Sequence, residues 1–271
     1  MVITQYLERN AKLYRDEVAL VEVNPSEERD KAVTWREARL IESAIDAPYR
    51  REMSWHEFDV KANKFANLLL SRGTKKGTKV AILLMNSLEW LPIYFGILKA
   101  GCIAVPLNFR YSGEEIKYCL DLADCEILVF GPEFVERLDS VYKDLDKINQ
   151  MFFVGKNVPA YAEDCGKLMT YCSSLVPPVE FCEDDFAAIY FSSGTTGFPK
   201  AILHRHRALE ASCRTEQNHH GQTRDDVFLC IPPLYHTGAK MHWFGSLLSG
   251  SKAVLLRGVK PEWILRSVTD E

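Results

Sequence analysis

Phe186-Ala187-Ala188-Ile189-Tyr190-Phe191 runs directly into Ser192-Ser193-Gly194-Thr195-Thr196-Gly197-Phe198-Pro199-Lys200. The first six residues are apolar throughout, as in a strand covered on both faces. The next nine carry four hydroxyls, two glycines and one lysine. Glycine lets a backbone turn tightly and approach a ligand closely. Successive N–H groups in such a turn converge on an anion. The hydroxyls add donors, and Lys200 adds a mobile positive charge. Directly after a buried strand is where α/β sheets hold ligands. The loop therefore suits a phosphate group. It is not a P-loop, because no Gly-Lys-Ser/Thr follows the glycines. The competing reading is a plain polar turn between two strands.

Upstream, helix and strand signals alternate. Residues 2–14 read as an amphipathic helix and Glu17–Val23 as a strand, and 24–50 are polar and irregular, as in an insertion. Ser54/Glu57, Asn86/Glu89 and Ser112/Glu115 each stand in capping-box spacing and predict three helix starts. Between the helices lie short apolar strands at 79–84, 102–106, 126–130 and 151–154. Such strands imply a mostly parallel sheet flanked by helices, an α/β fold. Residues 155–184 read as a linker around one short helix. The chain divides into 1–73, with an N-terminal helix, a strand hairpin carrying the insertion and a capped helix; 74–225, an α/β subdomain ending in the phosphate loop; and 226–271, the start of a second α/β subdomain that is cut short. Apolar surface on the unfinished sheet would favour self-association into a homo-oligomer.

Hydrophobic residues make up 47% of the 271 and charged residues 26%, enough apolar matter for a sizeable core. The 33 basic and 37 acidic residues leave a net charge of −4, which argues against general nucleic-acid binding. The most apolar window, Trp90–Leu107, is interrupted by Pro92, Lys99 and Pro106, so no transmembrane segment is expected. The N-terminus lacks signal-peptide features. The eight scattered cysteines form no C-x-x-C pair and predict a reducing cytoplasmic setting without disulfides.

Four ordered motifs then converge. The glycine–hydroxyl loop resembles the signature of the adenylate-forming (AMP-binding) superfamily, which includes acyl-CoA synthetases, luciferases and peptide-synthetase adenylation domains. Ser54-Trp55-His56-Glu57-Phe58, Leu98-Lys99-Ala100-Gly101 through Val105-Pro106-Leu107-Asn108, and Pro233-Leu234-Tyr235-His236-Thr237-Gly238 resemble further motifs of the same family. The resemblance implies an acyl-CoA synthetase/luciferase-like N-terminal domain. It implies ATP, Mg2+ and coenzyme A, with a small-molecule carboxylic acid as substrate. Ser192, Ser193, Gly194, Thr195, Thr196, Gly197 and Lys200 carry over as the loop on the β- and γ-phosphates. The family has Gly after the lysine, where this chain has Ala201. His236 carries over to a place beside the carboxylate, with Tyr235 as its neighbour. Met241 and Trp243, at helical spacing, are candidates for an acyl pocket, with plain core as the alternative.

Other clusters read as structural. His204, His206, Cys213, His219 and His220 match no zinc spacing, and His219-His220 are expected in a polar exit loop after a helix from His206 to about Cys213. The resemblance also implies segments that this sequence lacks, namely Tyr-Gly-x-Thr-Glu, Thr-Gly-Asp and the C-terminal lysine. The chain is thus expected to be the N-terminal half of such an enzyme, inactive without its C-terminal half. Rival readings are a stand-alone nucleotide or phosphate-binding module, and an ATPase or kinase.

Overall fold

The computed structural model describes residues 1–23, 50–192 and 199–271, with the side chains of 239–242 left aside. Its larger sheet is built from β3 (Lys79–Leu83), β4 (Ile103–Pro106), β5 (Ile127–Phe130), β6 (Gln150–Phe153), β7 (Glu163–Asp164), β8 (Phe186–Ser192) and β9 (Lys200–Arg205). The strand order is β7-β6-β5-β3-β4-β8-β9, and only β8 and β9 pair antiparallel. The apolar runs therefore form a parallel sheet, as their lack of alternation requires.

The smaller sheet has the order β10-β11-β1-β2, from β1 (Val18–Val23), β2 (Arg50–Ser54), β10 (Val227–Cys230) and β11 (Lys252–Leu256). Val21 sits opposite Val254 and Glu52. The expected division by chain order separates residues 1–73 from 226–271. The pairing instead unites their strands in one sheet. Among the described residues its outer strands are β10 and β2, and Val227 of β10 is 46% exposed.

Helices cover the sheets: α1 (Ile3–Leu13), α2 (Trp55–Ser71), α3 (Trp90–Lys99), α4 (Gly113–Leu122), α5 (Val135–Asp139), α6 (Cys165–Thr170), α7 (His206–His220), α8 (Thr237–Ser249) and α9 (Pro261–Asp270). Two of the three predicted capping boxes form. Ser54 N donates to Glu57 Oε2 at 2.8 Å and Glu57 N donates to Ser54 Oγ at 3.2 Å. Ser112 and Glu115 repeat the arrangement.

The third does not form. Glu89 itself occupies the N-cap of α3 in helical conformation, and its carboxylate accepts from Arg51 at 2.9 Å. Asn86 turns towards the other sheet. The exit-loop expectation also fails. α7 runs on to His220 and stops at Gly221, whose φ of +61° gives the left-handed C-cap that glycine supplies cheaply.

One core packs α2 and α3 against α8, where Phe58, Phe95 and Trp243 meet with ring centroids 5.4–6.0 Å apart. Gly96 of α3 lies so close to α2 that a Cβ there would fall 2.8 Å from Ala62 O. Lys99, which interrupts the apolar window, is only 2% exposed. Its ammonium donates to Glu8 at 3.0 Å, Asp59 at 2.7 Å and Asn63 at 2.7 Å, tying α1, α2 and α3 together. All eight cysteines are free and six are buried. Burial pushes the thiols of Cys102, Cys119, Cys165 and Cys230 up to about 12, so they stay protonated and behave as small apolar groups. No helix among the described residues is long and apolar enough to cross a membrane.

Candidate active site

The strand ends decide where the site lies. A cavity of about 440 Å³ opens where strands of both sheets finish. Met85 and Asn86 reach it from beyond β3, Phe109 and Arg110 from beyond β4, Ile231, Pro232, Pro233, Tyr235 and His236 from beyond β10, and Arg257 through Val259 from beyond β11. All four strands enter at their carboxyl ends, the edge at which parallel sheets leave backbone groups free for ligands.

His236 has a defined local role. Pro232 and Pro233 lack N–H donors and so end the ladder of β10. The turn then closes with His236 N donating to Pro233 O at 2.9 Å. His236 becomes the N-cap of α8, and its Nδ1 accepts from Gly238 N at 3.2 Å. Occupying Nδ1 as an acceptor puts the proton of the neutral ring on Nε2. The imidazole is exposed at the cavity lip. It can therefore donate from Nε2 to an oxygen bound there, close to the positive end of a helix dipole.

Tyr235 stands beside it with its ring edge-on to Phe109, centroids 5.2 Å apart. Burial pushes its hydroxyl above the ordinary value, with Arg110 opposing. Arg257 pairs with Glu133, which is only 2% exposed. An ion pair thus lies behind the wall of the cavity.

The phosphate-loop candidates fall on the neighbouring hairpin. Ser192 at the end of β8 and Lys200 at the start of β9 are cross-strand partners. The plain-turn reading and the phosphate reading are thereby compatible, because the segment between them joins two paired strands. β8 runs parallel to β4, with Ala188 opposite Ala104, so Ser192 lies at the same sheet edge as Phe109 and Arg110. Ser193, Gly194, Thr195, Thr196 and Gly197 lie outside the described residues.

Of the two pocket candidates on α8, Trp243 is 1% exposed and packs in the core against Phe58 and Phe95, away from the cavity lining. The side chain of Met241 lies outside the described residues. The histidine–cysteine cluster is spread along β9 and α7: His204 meets Tyr190, His206 stacks on Phe181, and His219 and His220 lie at the far end of the helix. Among the described residues no group of three or more His, Cys, Asp or Glu is placed to hold a metal ion.

Asn86, Phe109, Arg110 and Arg257 were not among the expected site residues. Each lies one to four residues beyond a strand's carboxyl end, so that rule applied to β3, β4 and β11 would have pointed to them.

The model of a family described as AMP-binding enzyme matches residues 7–270. A 3-hydroxybenzoate--CoA/4-hydroxybenzoate--CoA ligase from Thauera aromatica is 29% identical over 77% of this chain and 40% of its own length. A medium/long-chain-fatty-acid--CoA/3-oxocholest-4-en-26-oate--CoA ligase from Mycolicibacterium smegmatis is 28% identical over 86% of this chain and 47% of its own length. The chain thus spans under half the length of these two relatives. The inhibitor-bound N-terminal domain of FACL13 from Mycobacterium tuberculosis superposes with a TM-score of 0.82 at 20% identity, over 98% of this chain and 60% of that one, a likeness of fold. By its sequence over nearly its whole length, the chain belongs to the AMP-binding enzyme family and matches the N-terminal parts of acyl-CoA ligases.

Proposed function

We propose that this chain holds the ATP phosphates and the reacting carboxylate in an AMP-forming acid–thiol ligase. The observation that carries the reading is His236, at the lip of the cavity where both sheets end, with Nδ1 occupied and Nε2 left to donate. A carboxylate oxygen attacks the α-phosphorus of ATP. The new bond makes acyl-AMP, and the bond to the β-phosphate breaks to release pyrophosphate. The thiol of coenzyme A then attacks the acyl carbon and AMP leaves.

In the first step Nε2 of His236 donates to the carboxylate as it becomes the bridging oxygen. Ser192, Ser193, Gly194, Thr195, Thr196, Gly197 and Lys200 receive the β- and γ-phosphates, where charge builds as pyrophosphate departs. Mg2+, when bound, would offset the charge of the nucleotide's phosphates, which leave that ion in need of few protein ligands. The walls at Met85, Phe109, Tyr235 and Val259 suit an acid with an apolar body. The two relatives named above, for hydroxybenzoates and for medium- or long-chain fatty acids, support that class. The free cysteines support a reducing, cytoplasmic setting.

The test is product analysis of the full-length protein given ATP, a panel of aromatic and aliphatic acids, and hydroxylamine as acceptor. Pyrophosphate, AMP and hydroxamate in equal amounts are expected. Inorganic phosphate and ADP would identify an ATPase or kinase instead. Nucleotide binding with no acid-dependent product would leave a binding module.

A further inference from the structure

Asn86 stands in capping-box spacing with Glu89 yet caps nothing. Its side chain is 4% exposed. The amide nitrogen donates to Pro232 O at 3.1 Å and to Leu256 O at 3.2 Å, and the amide oxygen accepts from Leu234 N at 2.8 Å. One side chain from beyond β3 of the large sheet thus holds the ends of both β10 and β11 of the small sheet.

Pro232 O and Leu234 N flank the turn that ends at His236. The two prolines remove the N–H groups that would otherwise tie this turn to a neighbouring strand. Asn86 supplies that tie from the other sheet. Buried carbonyls and N–H groups left without partners are costly, so the turn has one low-energy place relative to β3.

We infer that Asn86 is the positioning residue for His236, setting where the imidazole stands in the cavity by gripping Pro232 and Leu234. The inference rests on the proposed role of His236. A change at Asn86 moves the turn, and with it Nε2, without touching the hairpin that carries Ser192 and Lys200. Displacements of about 1 Å in a reacting group lower rates by up to about 100-fold.

The informative variant is Asn86→Asp, equal in size but with both donors lost and an acceptor facing two carbonyls. In the full-length protein, kcat for pyrophosphate release should fall about 10- to 100-fold while KM for ATP moves less than about threefold. In a His236→Ala background the same substitution should have almost no further effect on kcat, because Asn86 acts through the missing ring. Multiplicative losses in the double variant would overturn the inference.

A second measurement is independent of activity. The ring carbon signal of His236, labelled at Cε1 and assigned by its loss in His236→Ala, should shift in Asn86→Asp and in the milder Asn86→Ser. An unmoved signal in a folded variant overturns the positioning role. If His236→Ala leaves turnover intact, the proposed chemistry of His236 falls, and the imidazole signal alone decides whether Asn86 sets its place.

Discussion

His236 Nδ1 accepts the backbone N–H of Gly238 at 3.2 Å, so one ring nitrogen holds the start of α8 while the other remains free to work at the cavity. The two jobs separate by substitution. His236→Asn keeps a side-chain oxygen for the cap, whereas His236→Ala removes it. Loss of a cap costs about 1 kcal/mol, and loss of a donor to a developing transition state costs on the order of 100-fold in rate. Chemical denaturation should therefore find His236→Ala about 1 kcal/mol less stable and His236→Asn near wild type. Acid-dependent pyrophosphate release should collapse in both. Retained turnover in His236→Asn would show that the ring serves only as a cap.

Lys99 supplies a test of the helical layer. Its ammonium faces the carboxylates of Glu8 and Asp59 in a site where it is 2% exposed. Truncating one partner of a buried pair leaves the opposite charges uncompensated, at about 3–5 kcal/mol. Lys99→Ala should lose that much in urea unfolding. The triple variant Lys99→Met, Asp59→Leu, Glu8→Leu should recover most of the loss, since apolar replacement of the whole set is often neutral. A Lys99→Ala loss below about 1 kcal/mol would mean that water reaches the site and screens the pair.

The sequence and the structure agree where local chemistry decides and part where distance does. Ser54/Glu57 and Ser112/Glu115 cap their helices because each has extended backbone at the cap and both side chains meet the backbone there. Asn86/Glu89 has the same spacing, but Arg51 engages Glu89 and the backbone carbonyls of Pro232 and Leu256 engage Asn86. Those partners lie 38 to 170 residues away, where no local pattern reports them. The pairing of Val21 with Val254 is hidden for the same reason: an apolar run announces a strand but not which sheet receives it. The phosphate-loop reading of the Ser192–Lys200 segment could be made from sequence because it depends on composition. The cavity beside it could not be read there, because it is made by four strand ends that only the fold assembles.

His206 gives a pH signature. It is 1% exposed, stacks on Phe181 at 4.9 Å, and has its backbone N–H on Asp185 O. Burial lowers its pKa from 6.5 to about 4, with Asp185 opposing and Lys76 assisting. The unfolded chain therefore binds a proton that the native ring refuses between those values, and stability falls as pH drops from 6.5 to about 4. The full shift corresponds to a loss of up to about 3 kcal/mol. The carboxyl of Asp185 is held below its ordinary 3.8 by Lys76. That of Glu89 is held below 4.5, where hydrogen bonds from Arg51 outweigh burial. Their losses begin only below pH 4.5, so the window above it isolates the histidine. Urea midpoints across this range should fall for the wild type and stay nearly flat for His206→Phe, which keeps the ring stack. Parallel curves would place the ring in contact with water.

Gly96 tests how closely α2 and α3 pack. A Cβ at this position would stand 2.8 Å from the carbonyl of Ala62 and 2.9 Å from Phe65. Alanine is the better helix former by about 1 kcal/mol, so helix propensity alone predicts a gain. Overpacking of a rigid contact costs about 1–3 kcal/mol, and backbone oxygen cannot rotate away. Gly96→Ala should therefore be destabilised in thermal unfolding despite its propensity. An increase in Tm would show that the two helices separate readily.

Lys200 and Thr195 test the phosphate assignment itself. Lys200 is exposed at the start of β9, opposite Ser192 across the β8–β9 pairing. Lys200→Ala should leave the unfolding midpoint within about 0.5 kcal/mol of wild type, as surface substitutions do. A hydrogen bond to a charged group contributes about 1.5–3 kcal/mol, so the same variant should raise KM for ATP, lower kcat, or both, by on the order of 10- to 100-fold in kcat/KM. Thr195→Val removes one neutral donor and should cost less, about tenfold. The sign of the salt response adds a second check. If the ammonium meets polyphosphate, wild-type ATP affinity weakens with ionic strength more steeply than that of Lys200→Ala, because one screened attraction has gone. ATP kinetics equal to wild type in both variants, at low salt and high, would move the phosphates away from this hairpin and with them the role given to the loop.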